Sequence, residues 1–228
     1  MKDTDKPWVQ EMVLVHHVFR RELMLAPALV EVVAPHDLRA ASRVGRHLRF
    51  VLDGLHVHHS GEDELLWPLL TARATLDAEL MARMRAQHDA LAGAMSAAGE
   101  ALSRWRTSVD PVAAATLVAA LRSLHGMLCT HLDEEEQRVL PLVTTWITQH
   151  EWGRLAEHGL AHMPKSVLFR QLGAILEDAD PADRHRFLAS VPPPVRLLWA
   201  ALGRHRYARY TTRLRRGLTV HRADRPAG

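Results

Sequence analysis

One pattern is written twice in this chain, and the repeat narrows the folds open to it more than any other feature. His58-His59-Ser60-Gly61-Glu62-Asp63-Glu64-Leu65-Leu66-Trp67-Pro68 returns as His131-Leu132-Asp133-Glu134-Glu135-Glu136-Gln137-Arg138-Val139-Leu140-Pro141. In each copy a glutamate follows the histidine by four residues, a second acid comes next, and a proline stands ten positions after the histidine. Residues at i and i+4 lie one above the other on an α-helix, so each copy sets an imidazole and a carboxylate side by side on one face. That is a metal-ligand pair.

The flanking sequence turns both faces inward. Trp8 to about Val33 reads as a first helix, with Val9, Met12, Val13, Phe19 and Leu23 in an apolar stripe that includes His16. Pro27 is expected to kink or end this helix, and Pro35 to mark the turn into the next. A second helix runs from about Asp37 through Leu48, Leu52, Leu55, His58 and Glu62 to just beyond Pro68. A third carries Leu80, Met84, His88, Leu91 and Leu102 and closes near Trp105. Asp110 as N-cap and Pro111 at the first helical position open a fourth, which carries Leu121, Leu124, Leu128, His131 and Glu135. His16 precedes His58 by 42 residues and His88 precedes His131 by 43. Each half is therefore a helical hairpin with one histidine on its first helix and a His/Glu pair on its second. Two hairpins predict an all-α, up-down-up-down four-helix bundle over residues 8–148, its inward side chains converging at one level.

Composition agrees. The chain has 228 residues, 47% hydrophobic and 5% aromatic, enough for one sizeable core and without strand-like alternation. Its single cysteine, Cys129, excludes an internal disulfide framework and a Cys-based zinc site and fits a reducing compartment. The N-terminus lacks an apolar signal core, and no run of about 18 apolar residues stands out as a bilayer span, so a cytoplasmic location is expected.

Two carboxylates buried together repel one another and carry a desolvation penalty of several kcal/mol each. Two divalent cations cancel that charge, and imidazole with carboxylate suits iron, manganese or zinc. The expected ligands are His16, His58, Glu62, His88, His131 and Glu135. His17 would replace His16 in a rotated helix. His59 occupies the stripe position that Leu132 fills in the other half, and reads either as a core or supporting residue or as a fifth histidine ligand. His56 and His125 read as surface or supporting residues. Glu64, Asp133, Glu134 and Glu136 are expected on solvated faces, and Met84, Met95 and Met127 as core fillers.

These residues resemble hemerythrin and the hemerythrin-like, HHE cation-binding domains, over about residues 8–148. The resemblance rests on His16, His58 with Glu62, His88, and His131 with Glu135, together with the acid after each glutamate and Pro68 and Pro141. It implies a bundle holding two non-haem iron ions, with Glu62 and Glu135 as bridging carboxylates and the four histidines as terminal ligands. The ligand bound or reduced would be a small oxidant such as dioxygen, peroxide or nitric oxide, in sensing or stress response; iron storage, repair of iron centres and a purely structural metal are the alternatives. The oxygen carrier of the family has two histidines one turn apart on its third helix, whereas His88 has Met84 and Ala92 there. Its fourth-helix acid also lies one residue further from its histidine. An iron short of ligands, and therefore open, is the expectation.

Past Ile147 the composition changes. Residues 150–228 contain glycine and proline joints (Gly153, Gly159, Pro164, Pro181, Pro192-Pro193-Pro194), and from Arg196 onward nine arginines face one acid. Val195, Leu197, Leu198, Trp199, Ala201, Leu202, Tyr207, Tyr210 and Leu214 are expected to supply apolar anchors among the arginines. A helix packed on the bundle with its arginines snorkelling outward is expected, no specific nucleic acid is expected, and weak contact with an anionic membrane is open to the tail.

Overall fold

A computed structural model describes residues 6–223. The N-terminal Met1–Asp5 and, in the basic tail, Asp224 and Arg225 lie outside the described residues. Helix α1 spans Gln10–Glu31 and passes through Pro27 without ending, because the proline is buried in the bundle and packing outweighs the lost hydrogen bond. Helix α2 (Leu38–Gly61) starts on Asp37, whose carboxylate accepts from the Ala40 N–H. After Gly61 the helix widens into a π turn, Glu62–Leu66, and resumes as α3 (Trp67–Arg73). Helix α4 (Ala78–Ser108) returns along the bundle and stops at Val109, which takes a left-handed backbone (φ 48°). Helix α5 (Pro111–Glu134) opens with the expected Asp110 cap and Pro111 at its first turn, widens at Glu135–Val139, and resumes as α6 (Leu140–Trp146).

The two π turns occupy equivalent places in the repeat. In each, a backbone N–H reaches back five residues, Trp67 to Glu62 O and Leu140 to Glu135 O, and the next residue is the proline of the motif. A proline deletes a donor and crowds the preceding turn, and the wide turn accommodates both. Each glutamate of the pair thus sits at the mouth of a π turn.

Helices α1, α2, α4 and α5 form the bundle, α1 and α4 each touching both α2 and α5. Its core has two apolar clusters. One contains Phe19, Leu55, Leu91, Leu128 and Leu132, the other Met12, Leu66, Trp67, Met84 and Val139. Between them along the chain directions lie the buried His16, His59, Glu62, His88, His131 and Glu135. Met127 is exposed rather than a core filler. The segment Pro111–Trp146 is long and apolar enough to cross a membrane, contrary to the sequence expectation. It nevertheless buries His131 and Glu135 against the other helices, which is the placement of a bundle helix.

The remainder forms α7 (Gln149–His162), α8 (Leu168–Glu177), α9 (Pro181–Ser190), α10 (Pro193–Leu198) and, after a third π turn at Trp199–Gly203, α11 (Arg204–Ala223). Helices α8 and α11 pack on α1, Leu14 and Val18 meeting Ala174 and Ile175. Charge then locks this apolar contact. Glu22, buried on α1, accepts from Arg21 and Arg215 and lies 3.2 Å from His47 Nε2. His47 Nδ1 meets the Tyr210 hydroxyl at 2.8 Å, and Arg215 also reaches Glu177. Burial alone pushes the Glu22 carboxyl up, but His47, Arg21 and Arg215 together hold it near 2. Tyr207 lies flat against Gly173, where any Cβ would come within 2.3 Å of the ring, so only glycine admits this approach.

Removing one partner of a buried charged cluster strands the others. Glu22→Ala is expected to cost about 3 kcal/mol in urea unfolding, and Glu31→Ala, on the exposed pair with Arg122, under about 1 kcal/mol. Equal losses would show that the Glu22 cluster does not hold the extension in place.

Candidate metal centre

Four helices bring the six expected residues together, and the register is the expected one: His16 is buried and His17 exposed. The side chains fall into two groups whose donor atoms lie within 4.8 Å of one another: His59, Glu62, His88 and His131, and His16, His58, Glu62 and Glu135. Glu62 belongs to both. Its Oε1 lies 3.2 Å from His58 Nε2 and its Oε2 3.5 Å from His88 Nε2. Glu135 Oε2 lies 3.5 Å from His16 Nε2 and 3.7 Å from His131 Nε2. Each carboxylate therefore faces a histidine of its own half and one of the other half.

Outer contacts fix the tautomers. His16 Nδ1 meets Glu136 Oε1 at 2.8 Å, His88 Nδ1 meets Asp63 Oδ1 at 2.8 Å, and His131 Nδ1 meets Gln87 Oε1 at 2.9 Å. An ionised carboxylate and an amide carbonyl oxygen only accept, so each Nδ1 donates and each Nε2 presents a lone pair inward. The Trp67 indole N–H is 3.4 Å from the same His88 nitrogen, a longer contact than Asp63 makes. His88 Nε2 and His131 Nε2 then face each other at 3.2 Å with no proton between them. Burial also holds His131 near 3 and lowers His88, so neither imidazole readily gains a proton to relieve this.

The inward atoms are otherwise orphaned. His16 Nε2, His58 Nε2, both nitrogens of His59 and all four oxygens of Glu62 and Glu135 are buried without a hydrogen-bond partner. Leaving a buried polar atom unpaired costs about 1–3 kcal/mol, and more for a charged one. Burial, followed by the charge of Glu135, pushes the Glu62 carboxyl far above its ordinary range. Glu135 is pushed up to about 8, first by burial and then by Glu136. Lone pairs and carboxylates aimed at one another from four helices fit cations. The donor set, nitrogen and oxygen without sulfur, suits iron, manganese or zinc.

Two findings differ from the sequence expectation. Glu136 is not on a solvated face: it accepts from His16 and from Arg20, which also reaches the exposed Asp133. Glu134 likewise ties Arg83 to Gln87, the residue that holds His131; Glu64 is exposed as expected. The signal for Asp63 and Glu136 was in the repeat, since an acid follows each glutamate, and the structure shows these acids crossing over, each to the first-helix histidine of the opposite hairpin. Gln87 had no sequence signal.

The second difference concerns the ligand-short end. His59, 4% exposed, stacks on His88 with ring centroids 4.4 Å apart and meets His131 edge-on at 5.3 Å. It comes from the second helix rather than the third, and offers that group a third imidazole. His56 is exposed and His125 half-buried against Cys129.

The sequence matches the family described as Hemerythrin HHE cation binding domain over residues 9–143. No curated protein and no solved structure matches the chain.

Outer-sphere partners of metal-bound histidines typically contribute 10–100-fold in affinity. Glu62→Ala and Glu135→Ala should abolish high-affinity metal binding, and Asp63→Ala and Glu136→Ala should weaken it by about 10-fold or more. Glu64→Ala should leave it unchanged. Titration with a competing chelator separates these ranks, and equal affinities for Glu64→Ala and Glu136→Ala would contradict the crossover.

Protonation gives a second check. With Glu135 near 8, the folded metal-free chain keeps a proton that the unfolded chain releases at its ordinary value of 4.5, so stability falls as pH rises between the two. His16 and His131 act oppositely. The unfolded chain protonates them at 6.5 while the folded chain resists to about 3, so stability falls as pH drops below 6.5. Between pH 4.5 and 6.5 the two histidines outweigh the one carboxyl, and above 6.5 only the carboxyl acts, so metal-free protein should melt highest at about pH 6.5, and metal loading should raise the melting temperature most near pH 8. A metal-free melting temperature that goes on climbing from about pH 6.5 to 8 in calorimetry would contradict the assignment.

Proposed function

The chain belongs to the hemerythrin HHE cation-binding family, and on that premise we propose that it is a non-haem di-iron protein that binds or reduces a small oxidant, dioxygen, peroxide or nitric oxide, in sensing or in an oxidative or nitrosative stress response. The observation that carries this reading is the facing of unprotonated histidine nitrogens and unpartnered carboxylates in two groups joined by Glu62.

In this reading His16, His58 and Glu135 would hold one ion and His59, His88 and His131 the other, with Glu62 available to both groups. Iron so held would supply electrons and a coordination position for a small ligand. The chain does the rest. Glu136, Asp63 and Gln87 keep three imidazoles in the donor tautomer and at fixed angles. Leu55, Leu66, Met84 and Leu128 are buried in the apolar clusters on either side of the layer, apolar surface that excludes bulk water. Asp63, half-exposed, holds the His88 Nδ1 proton at the edge of solvent and offers a route for proton exchange with the interior.

Metal analysis after anaerobic iron loading should return two ions per chain; one or none would remove the dinuclear reading. Azide added to the oxidised, loaded protein should change its absorption spectrum, and no change at saturating azide would mean that the iron has no position for a small ligand. Dioxygen added to the reduced protein should bleach or develop that spectrum, and repeated degassing then separates reversible binding from reduction.

A further inference from the structure

The rod formed by α10, its π turn and α11 has one committed face and one open face. The committed face is Trp199, Gly203, Tyr207, Tyr210 and Leu214. Trp199 packs by Phe169, Tyr207 lies on Gly173, Tyr210 meets His47, and Leu214 joins the bundle core. On the open face Leu197, Leu198 and Leu202 are 70%, 47% and 52% exposed, at the N-terminal end of the rod. Arg206, Arg209 and Arg213, spaced three and four residues apart, are exposed further along the same side of the helix. No acid occurs from Arg184 through Ala223, a stretch of forty residues. The contrast with Arg215 is instructive: the arginine that turns inward is neutralised by Glu22 and Glu177, whereas the outward ones have no acid on their own helix.

We propose that this face docks on an anionic lipid surface, the three leucines entering the acyl boundary and the arginines meeting the headgroup phosphates. A helix with apolar and basic residues on its exposed side and no acids is the composition that an anionic interface takes up. Charge complementarity selects the lipid, and exposed leucine separates lipid from nucleic acid. Phosphate backbones reward the arginines alone, and the aromatic residues that would stack on bases are turned inward. The bundle's own outer helices carry acids among their bases, so attachment would be through the rod, with the metal layer held away from the membrane. This inference is independent of which metal the centre holds.

The test uses the full, metal-loaded chain in co-sedimentation with phosphatidylglycerol/phosphatidylcholine vesicles and with phosphatidylcholine vesicles alone. Binding to the anionic vesicles should be about tenfold stronger or more and should weaken with salt. The double variant Leu197→Asp/Leu202→Asp and the double variant Arg206→Glu/Arg209→Glu should each lower it about tenfold or more. Because all four side chains are exposed, helicity and metal content should stay unchanged, which reads out folding separately. No vesicle binding, or equal binding to both vesicle types, overturns the proposal. So does a leucine variant that still binds as the parent does while duplex DNA competes, which would assign the arginines to nucleic acid. Self-association that vanishes in the leucine variant without any vesicle binding would assign the face to a second copy of the chain and overturn it as well.

Discussion

Two carboxylates, Glu62 and Glu135, are buried within reach of one another and of five imidazoles, and the rest of the bundle is arranged around the cost of keeping them there. In the absence of cations those acids hold protons and the inward nitrogens stay unpaired, a layer of orphaned polar atoms between two apolar clusters. Cations would give the same atoms the partners they lack. Folding and metal binding are thus coupled: the leucine-rich clusters can close the bundle, but the layer between them is satisfied only when charge is supplied.

The internal symmetry explains how one motif achieves this twice. Each hairpin contributes a first-helix histidine, a His/Glu pair and an outer acid, and the outer acids cross between hairpins, Asp63 to His88 and Glu136 to His16. Neither hairpin can complete its ligand geometry alone. The two prolines act at the backbone level, forcing a π turn at each glutamate, so the same short sequence specifies the ligand, the turn that carries it and the acid that orients the neighbour. The symmetry breaks at Gln87, which holds His131 and is matched by no such partner of His58 among the described residues, and again at His59. His59 stands opposite Leu132, so one group has three imidazoles and the other two. That asymmetry makes the two positions chemically different and gives the centre a distinguishable end.

Much of this was legible in the sequence, because helical periodicity and an i, i+4 pair are local properties. The four bundle helices, the Asp110 cap and the inward register of His16 all follow from spacing. What was not legible depends on neighbours far along the chain. Whether Glu136 faces solvent or His16 is decided by α1 lying beside α5, and Gln87 gains its role only because His131 swings beside it. His59 remained ambiguous because a histidine on an apolar stripe reads alike as packing and as ligand until the facing helix is placed. The path of α1 through Pro27 was likewise a matter of packing, which local rules do not weigh. In the C-terminal part, the arginines announced a basic tail, but only the burial of Glu22 shows which of them is structural.

The claim on which everything else rests is that the facing lone pairs of His88 and His131, with Glu62 and Glu135, exist to hold cations. Anomalous diffraction from crystals of the iron-loaded protein, collected at the iron edge, tests it most directly. Two peaks are expected inside the bundle, one among His16, His58 and Glu135 and one among His59, His88 and His131, both in contact with Glu62. A map with no peak in that layer, or with iron bound only at surface residues, would contradict the account.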